Sequence, residues 1–315
     1  MKYLPVINFV LLVVLISVFA LPDWFNKNED VGENEVAKST VFLPSFYNSP
    51  KDYGHITKAI KIPDYLEFAG EPMPLHDDEV KEKVDRELLV NTFWHSNTIY
   101  NLKLANKFFP IIEPILAENG IPDDFKYLAV AESGLKNVVS PSKAAGYWQF
   151  LSGTAKEFGL EVNGEVDERY HIEKSTKAAC KYLNQAYSKY GNWTLAAASY
   201  NMGMKNTSRL LELEKESSYY DMHLNIETGR YVYRCVAIKE IFSNPEKYGF
   251  ALEYDDLFSF PSIKLIQVDH PIESMADFAH QYGVSYKTLK YLNPWLKSYK
   301  LDNKEGKTYR IKIPI

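Results

Sequence analysis

The chain has 315 residues and a formal charge of -5, from 36 Lys and Arg against 41 Asp and Glu. That length accommodates one large and one small domain, each with its own core. The basic residues are scattered rather than gathered on one element, so no nucleic-acid partner is expected. Aromatic residues make up 14% of the chain, and 23 residues are Tyr. Such amphipathic rings suit the stacking of sugar faces and, equally, the filling of cores.

The N-terminus reads as an export signal. From Leu4 to Leu21 the chain is apolar except at Pro5, Asn8 and Ser17, and polar sequence begins at Asp23. Val18-Phe19-Ala20 ends in the small residue a signal peptidase prefers, while the apolar length nearly suffices to span a bilayer. Residues 1–21 are therefore a removable signal peptide or a retained anchor through residues 4–21. Either places the rest of the chain outside the cytoplasm. Residues 22–78, rich in Asn, Lys, Glu, Ser and Pro, read as a linker and N-terminal extension that partly packs on a domain.

From residue 79 to about 250 the pattern is helical. Phe108, Ile111, Ile112, Ile115 and Leu116 share one face, ended by Gly120. Pro122, Asp123 and Asp124 open the next helix. Ser175 is placed to cap "TKAACKYLNQAYSKY", stopped by Gly191. "WTLAAASYN" follows, ending at Gly203, and Thr228 begins a helix with the stripe Tyr231, Cys235, Ile238 and Phe242. Cys180 and Cys235 lie in two of these helices, and a disulfide and two buried thiols both stay open. The seven His are dispersed, so no metal site is expected. After Pro261, "IKLIQV" and "TYRIKIPI" read as strands around two short helices, a βααβ module over residues 263–315.

Phe125, Leu128, Ala129 and Glu132 stand at i, i+3, i+4 and i+7, which sets Glu132 on an apolar stripe at a helix C-terminus. Partial burial and the negative end of the helix dipole both raise a carboxylate's pKa there, as a general acid requires. Just downstream, "AAGYWQF" sets three small residues against three aromatics and an amide.

These segments carry a resemblance. "ESGL" at Glu132, "AAGYWQF", "VDERYHIEKSTKAACKYL" and "ASYNMG" occur in the order of the motifs of the lytic transglycosylases, in the goose-type-lysozyme-like superfamily, over roughly residues 105–245. The module resembles a LysM domain through "SMADFAHQYGVSYKTLKYLNPWL" and "YRIKIP". Its opening, His270-Pro271-Ile272-Glu273-Ser274-Met275, departs from the usual Gly-Asp-Thr/Ser-Leu, so weakened glycan affinity or a packed cap is an alternative to glycan binding. The fold so implied is mainly α, a lysozyme-like all-α catalytic domain with a small C-terminal βααβ module.

The resemblance implies cleavage of peptidoglycan glycan strands without cofactor, with Glu132 as acid and base. It implies that Ser133, Gln149, Tyr200, Asn201 and Tyr231 shape the substrate site. Asp167 and Arg169 are expected to be a structural pair, and a monomer is expected. Tyr147 stands where the family more often has Leu, Ile or Met. A single carboxylate disfavours ordinary hydrolysis, which uses two. A lysozyme-like hydrolase and a non-catalytic wall-binding protein are the alternatives.

Overall fold

The computed structural model of the chain describes residues 57–315, which form one unit. The expected export signal or anchor lies outside the described residues. A short antiparallel hairpin, β1 (Glu67–Phe68) and β2 (Glu71–Pro72), comes first. It drives Leu66, Phe68 and Met73 into the main core, so this part of the expected linker belongs to the helical body. Burial decides this: Phe68 is fully enclosed, its ring edge against Phe125 at 5.1 Å.

Asp77 accepts the Val80 N–H at 3.0 Å and so caps α1 (Asp78–Phe93). Next comes α2 (His95–Glu118), which buries Phe108, Ile112, Ile115 and Leu116 as the apolar spacing requires. α3 (Phe125–Ser133) ends at Gly134, left-handed at φ 59°, and α4 (Ser152–Glu157) is short. α5 (Ile172–Tyr190) stops at Gly191, and α6 (Trp193–Met202) is capped by Asn192. α7 (Met204–Glu214) follows, and a 3-10 turn at Thr228–Arg230 leads into α8 (Tyr231–Ser243). α8 lies between α1 and α3, and α5 packs on α2 and α6.

Two expected helix starts are displaced. Pro122, Asp123 and Asp124 form a turn before α3 rather than its first turn, and Asp124 is held by Lys239 Nζ at 2.6 Å and by the Ala69 N–H at 2.6 Å. Ser175 lies inside α5, buried, with its hydroxyl donating to Ile172 O at 3.3 Å; the helix starts one turn earlier. Cys180 and Cys235 are free, buried thiols, and burial pushes Cys180 up to about 12.

The C-terminal module has the expected order: β3 (Ile263–Val268), α9 (Met275–Gln281), α10 (Tyr286–Leu292) and β4 (Tyr309–Pro314), with β3 and β4 antiparallel. Ser274 and Ser285 cap the two helices. The module is seated on the loop that precedes α5. Asp167 N–H donates to Trp295 O at 2.8 Å and Lys297 N–H to Glu165 O at 2.7 Å, around a bridge between Val166 and Leu296. Ala145, Val166 and Tyr170 join the apolar core of the module. Lys297 lies over the Tyr170 ring at 4.1 Å. Among the described residues no helix is long and apolar enough to cross a membrane.

Candidate active site

α3 and α8 are tied at both ends. Lys239 of α8 pairs with Asp124 just before α3, and Tyr231 at the start of α8 donates its hydroxyl to Glu132 Oε1 near the end of α3. The two ties lie eight residues apart on both segments, so together they fix the register of one helix against the other and aim Glu132 at the open side. That side is a cavity of about 690 Å³ lined by Glu132, Gln149, Tyr200, Asn201, Glu227, Tyr231 and Arg234 among others.

Burial is the main influence on Glu132 and raises its pKa to about 7, against the lowering effects of the Tyr231 hydrogen bond and the Arg234 charge, with Glu227 adding a smaller upward push. Oε1 accepts from the phenol, which leaves Oε2 to carry the acid's proton. Burial and the neighbouring carboxylate hold Tyr231 well above an ordinary phenol, so it stays a donor. Near neutral pH the cavity thus presents a carboxyl group poised between its acid and base forms.

The loop carrying Gln149 is built by glycine and by strain. Gly146 stands at φ 80°, and a Cβ there would lie 1.9 Å from Arg169 O. Gln149 itself is left-handed at φ 48°, a conformation unusual away from functional sites. Its amide nitrogen donates to Val138 O at 3.0 Å and Gly146 O at 2.8 Å. With both N–H groups so engaged, its carbonyl oxygen remains to accept from a ligand. Tyr200 donates to Trp148 O at 2.8 Å, so toward the cavity it too offers an acceptor oxygen. Asn201 accepts from Thr228 Oγ1 at 2.7 Å and donates to Glu227 Oε1 at 3.2 Å, tying the two cavity walls together.

Five of the six expected site residues therefore meet around one cavity. Ser133 does not: it is buried, its hydroxyl donates to Tyr147 O at 2.7 Å, and it joins the end of α3 to the "AAGYWQF" loop. The reason is helical geometry, since the residue after Glu132 points about 100° away from it. Tyr147 is also turned from the cavity, its hydroxyl accepting from Asn137 Nδ2 at 3.0 Å and its ring packed on Phe108. Trp148 is fully buried with its N–H on Thr176 Oγ1 at 2.9 Å. Asp167 and Arg169 form a two-point pair at 2.9 and 2.7 Å, and Arg169 also donates to Lys143 O and Phe150 O at 3.1 Å, so this pair braces the same loop.

Three residues escaped the sequence reading. Glu227 is a second carboxylate lining the cavity, where one was expected. Arg234 lies one helical turn beyond Tyr231. Behind it, Glu87 of α1 is fully buried against Arg230 Nε at 2.6 Å, Arg86 Nη1 at 2.8 Å and Arg234 Nε at 3.6 Å. The signals were present: Glu87 falls at i+7 from Val80 on the stripe that includes Val84 and Leu88, and Arg234 falls at i+3 from Tyr231. Among the described residues no group of three or more His, Cys, Asp or Glu could hold a metal ion.

Residues 109–223 match the family model of the transglycosylase SLT domain, and residues 264–315 match that of the soluble lytic transglycosylase C-terminal LysM-like domain. The chain thus carries an SLT transglycosylase domain followed by a LysM-like domain. It is homologous to the membrane-bound lytic murein transglycosylase D of Escherichia coli K12, 25% identical over 243 residues that cover 74% of this chain and 52% of that protein. A putative tributyltin chloride resistance protein of Alteromonas sp. is 25% identical over 101 residues, 31% of this chain and 49% of the other. The chain spans about half the length of these curated relatives. A solved structure of an inactive mutant of lytic transglycosylase Slt from Pseudomonas aeruginosa aligns with a TM-score of 0.34 and 16% identity, over 48% of this chain and 26% of that one; a likeness this distant adds nothing to the assignment. The SLT match ends before Glu227, Tyr231 and Arg234 and begins after Glu87.

Proposed function

We propose that the chain is a peptidoglycan lytic transglycosylase, cleaving the β-1,4 bond between N-acetylmuramic acid and N-acetylglucosamine without consuming water. The observation that carries this reading is Glu132: a carboxyl raised to about 7, held by a tyrosine, on the floor of a cavity whose walls offer acceptor oxygens. Glu132 gives its proton to the bridging oxygen as the C1–O bond breaks, while the muramoyl 2-acetamido group stabilises the developing positive charge. The glutamate then takes the proton of the same sugar's C6 hydroxyl as O6 bonds to C1. A 1,6-anhydro end forms and the acid is restored. A tethered hydroxyl competes with water through proximity. Gln149 and Tyr200 accept hydrogen bonds from sugar N–H and O–H groups, Asn201 fixes the cavity wall, and no cofactor takes part. Export, with residues 4–21 as signal or anchor, places the chain facing its polymer, and the LysM-like domain adds a contact to glycan.

Hydrolysis is the second reading, and Glu227 is the observation that favours it, because a carboxylate across a sugar cleft can activate water. Digestion of peptidoglycan sacculi separates the two. The transglycosylase reading predicts soluble fragments one water lighter than the corresponding reducing muropeptides, with ends that resist borohydride. Predominantly reducible ends, lost on Glu227→Gln, would make the chain a hydrolase.

A further inference from the structure

Three guanidinium groups, from Arg86, Arg230 and Arg234, surround the single buried carboxylate of Glu87. Two of them hold Oε1 at hydrogen-bond distance, whereas Arg234 stands 3.6 Å from Oε2, an atom with no hydrogen-bond partner. Arg234 makes no hydrogen bond among the described residues and is 29% exposed through the cavity it lines. Glu227, with Glu132 one of the two acids lining the cavity, is held by Asn201, and among the described residues neither forms an ion pair with Arg234. One carboxylate against three arginines leaves the cluster with surplus positive charge, and the member least engaged by Glu87 faces the cavity. A guanidinium with its fork unspent is a receptor for a carboxylate, which it binds through two parallel hydrogen bonds.

We propose that Arg234 is an anion subsite of the cleft, receiving a carboxylate carried by the substrate, with Glu87 as the buried residue that positions it. The proposal rests on the glycan-cleaving reading and adds to it the residue that reads the acidic group on the muramoyl side chain. The carboxylate belongs to a peptide stem or, where the stem is missing, to the lactyl group itself. Two features support a role at the ligand rather than in folding alone. Arg234 sits one turn from Tyr231 on α8 and lines the same cavity as Glu132. Its charge also acts on Glu132, lowering the proton affinity that burial raises, so a carboxylate that neutralises Arg234 favours the acid form needed for the first step.

The test is a binding titration on the full chain carrying Glu132→Gln, so that no ligand is cleaved. The ligands are soluble glycan oligomers with intact stems, oligomers stripped of stems to leave the lactyl carboxylate, and each of these with its carboxylates amidated. The expected result is a preference of about tenfold for free over amidated carboxylate, the worth of one charge-assisted hydrogen-bonded contact. That preference falls to about one when Arg234→Gln is added and is retained only in part by Arg234→Lys, whose point charge lacks the two parallel hydrogen bonds. A preference seen only with intact stems assigns the carboxylate to the stem; one that survives stripping assigns it to the lactyl group. Equal binding of free and amidated forms, or an Arg234→Gln variant that weakens both by the same factor at unchanged melting temperature, overturns the subsite. If Arg234→Gln does not fold, a Lys variant that folds but shows no preference also overturns it. Turnover by the unmutated chain is read separately. A carboxylate preference without any cleavage would remove the transglycosylase reading and leave the subsite standing.

Discussion

Glu132 in the cleft and Glu173 at the seam with the C-terminal module are both carboxylates that burial pushes toward the neutral form, yet they end at opposite extremes. Glu132 is raised to about 7. Glu173 is lowered to about 2, because burial is outweighed there by His171, whose Nδ1 lies 3.1 Å away, and by the Lys312 ammonium of β4. The partners decide the outcome. A phenol and a more distant guanidinium leave a carboxyl that exchanges its proton near neutrality, whereas a contacting cation leaves a permanent anion. The cleft leaves Glu132 able to exchange its proton, and the seam uses the Glu173–Lys312 pair to join two domains.

The largest expected effect is on the cleft side. Glu132→Gln keeps the shape but removes the proton, and turnover is expected to fall about 10³-fold, within the range general acid catalysis supplies. Folding and wall binding should be nearly unchanged. Release of anhydro muropeptides at a comparable rate by a folded variant would take Glu132 out of the mechanism.

Next comes the residue where cleft and seam meet. Gly146 lies in the loop that carries Gln149, and its Cα faces the carbonyl of Arg169, whose own loop is docked on the module through Asp167 and Trp295. Gly146→Ala introduces a methyl 1.9 Å from that carbonyl at φ 80°. The expected cost is about 4 kcal/mol, since neither contact is a flexible side chain. Gly164→Ala in the seam loop, where nothing lies within 4 Å of the new methyl, should change stability by less than about 0.5 kcal/mol. Thermal or denaturant melts of the two variants decide it. Equal stability would mean that the two loops separate freely, and Gly146 would not be what holds the Gln149 loop against the loop that carries Arg169.

Most of the fold was legible in the chain, because helix faces, caps and alternating strands are local. The apolar face of α2, Gly191 as the stop of α5, and the βααβ order all follow from residues within a turn or two of each other. The position of Glu132 was legible for the same reason. Its neighbours across the cleft were less so: Tyr231 was read through the family resemblance, while Glu227 and Arg234 reach the cavity only because α8 packs antiparallel to α3. Glu87 was overlooked although its i+7 position follows the rule that singled out Glu132, because an acid in a charged stretch reads as a solvated face. Ser133 was misplaced by its adjacency to Glu132. The seam was illegible for a different reason: its backbone hydrogen bonds at residues 165–167 and 295–297 leave no trace in side-chain pattern, and its ion pair and apolar contacts join residues far apart in the chain.

The smallest effect expected concerns Tyr231, and it tests whether the partner of a buried carboxylate sets its proton affinity. Tyr231→Phe removes the hydrogen bond to Glu132 Oε1 while keeping the ring that fills the start of α8. That bond favours the ionised carboxylate, so its loss raises the pKa of Glu132 further above its ordinary 4.5. Glu132 must be protonated to begin the reaction; in the unmutated chain cleavage therefore declines as pH rises through about 7. In the variant the same decline should begin at higher pH, while the rate on the acid plateau falls about tenfold, because the glutamate forming in the transition state has lost a donor. Rate against pH for the two chains, on one soluble glycan, is the measurement. An alkaline limb that stays in place while the plateau drops would show that the phenol acts on the sugar rather than on Glu132, and the contrast with Glu173 would then rest on burial and ionic partners alone.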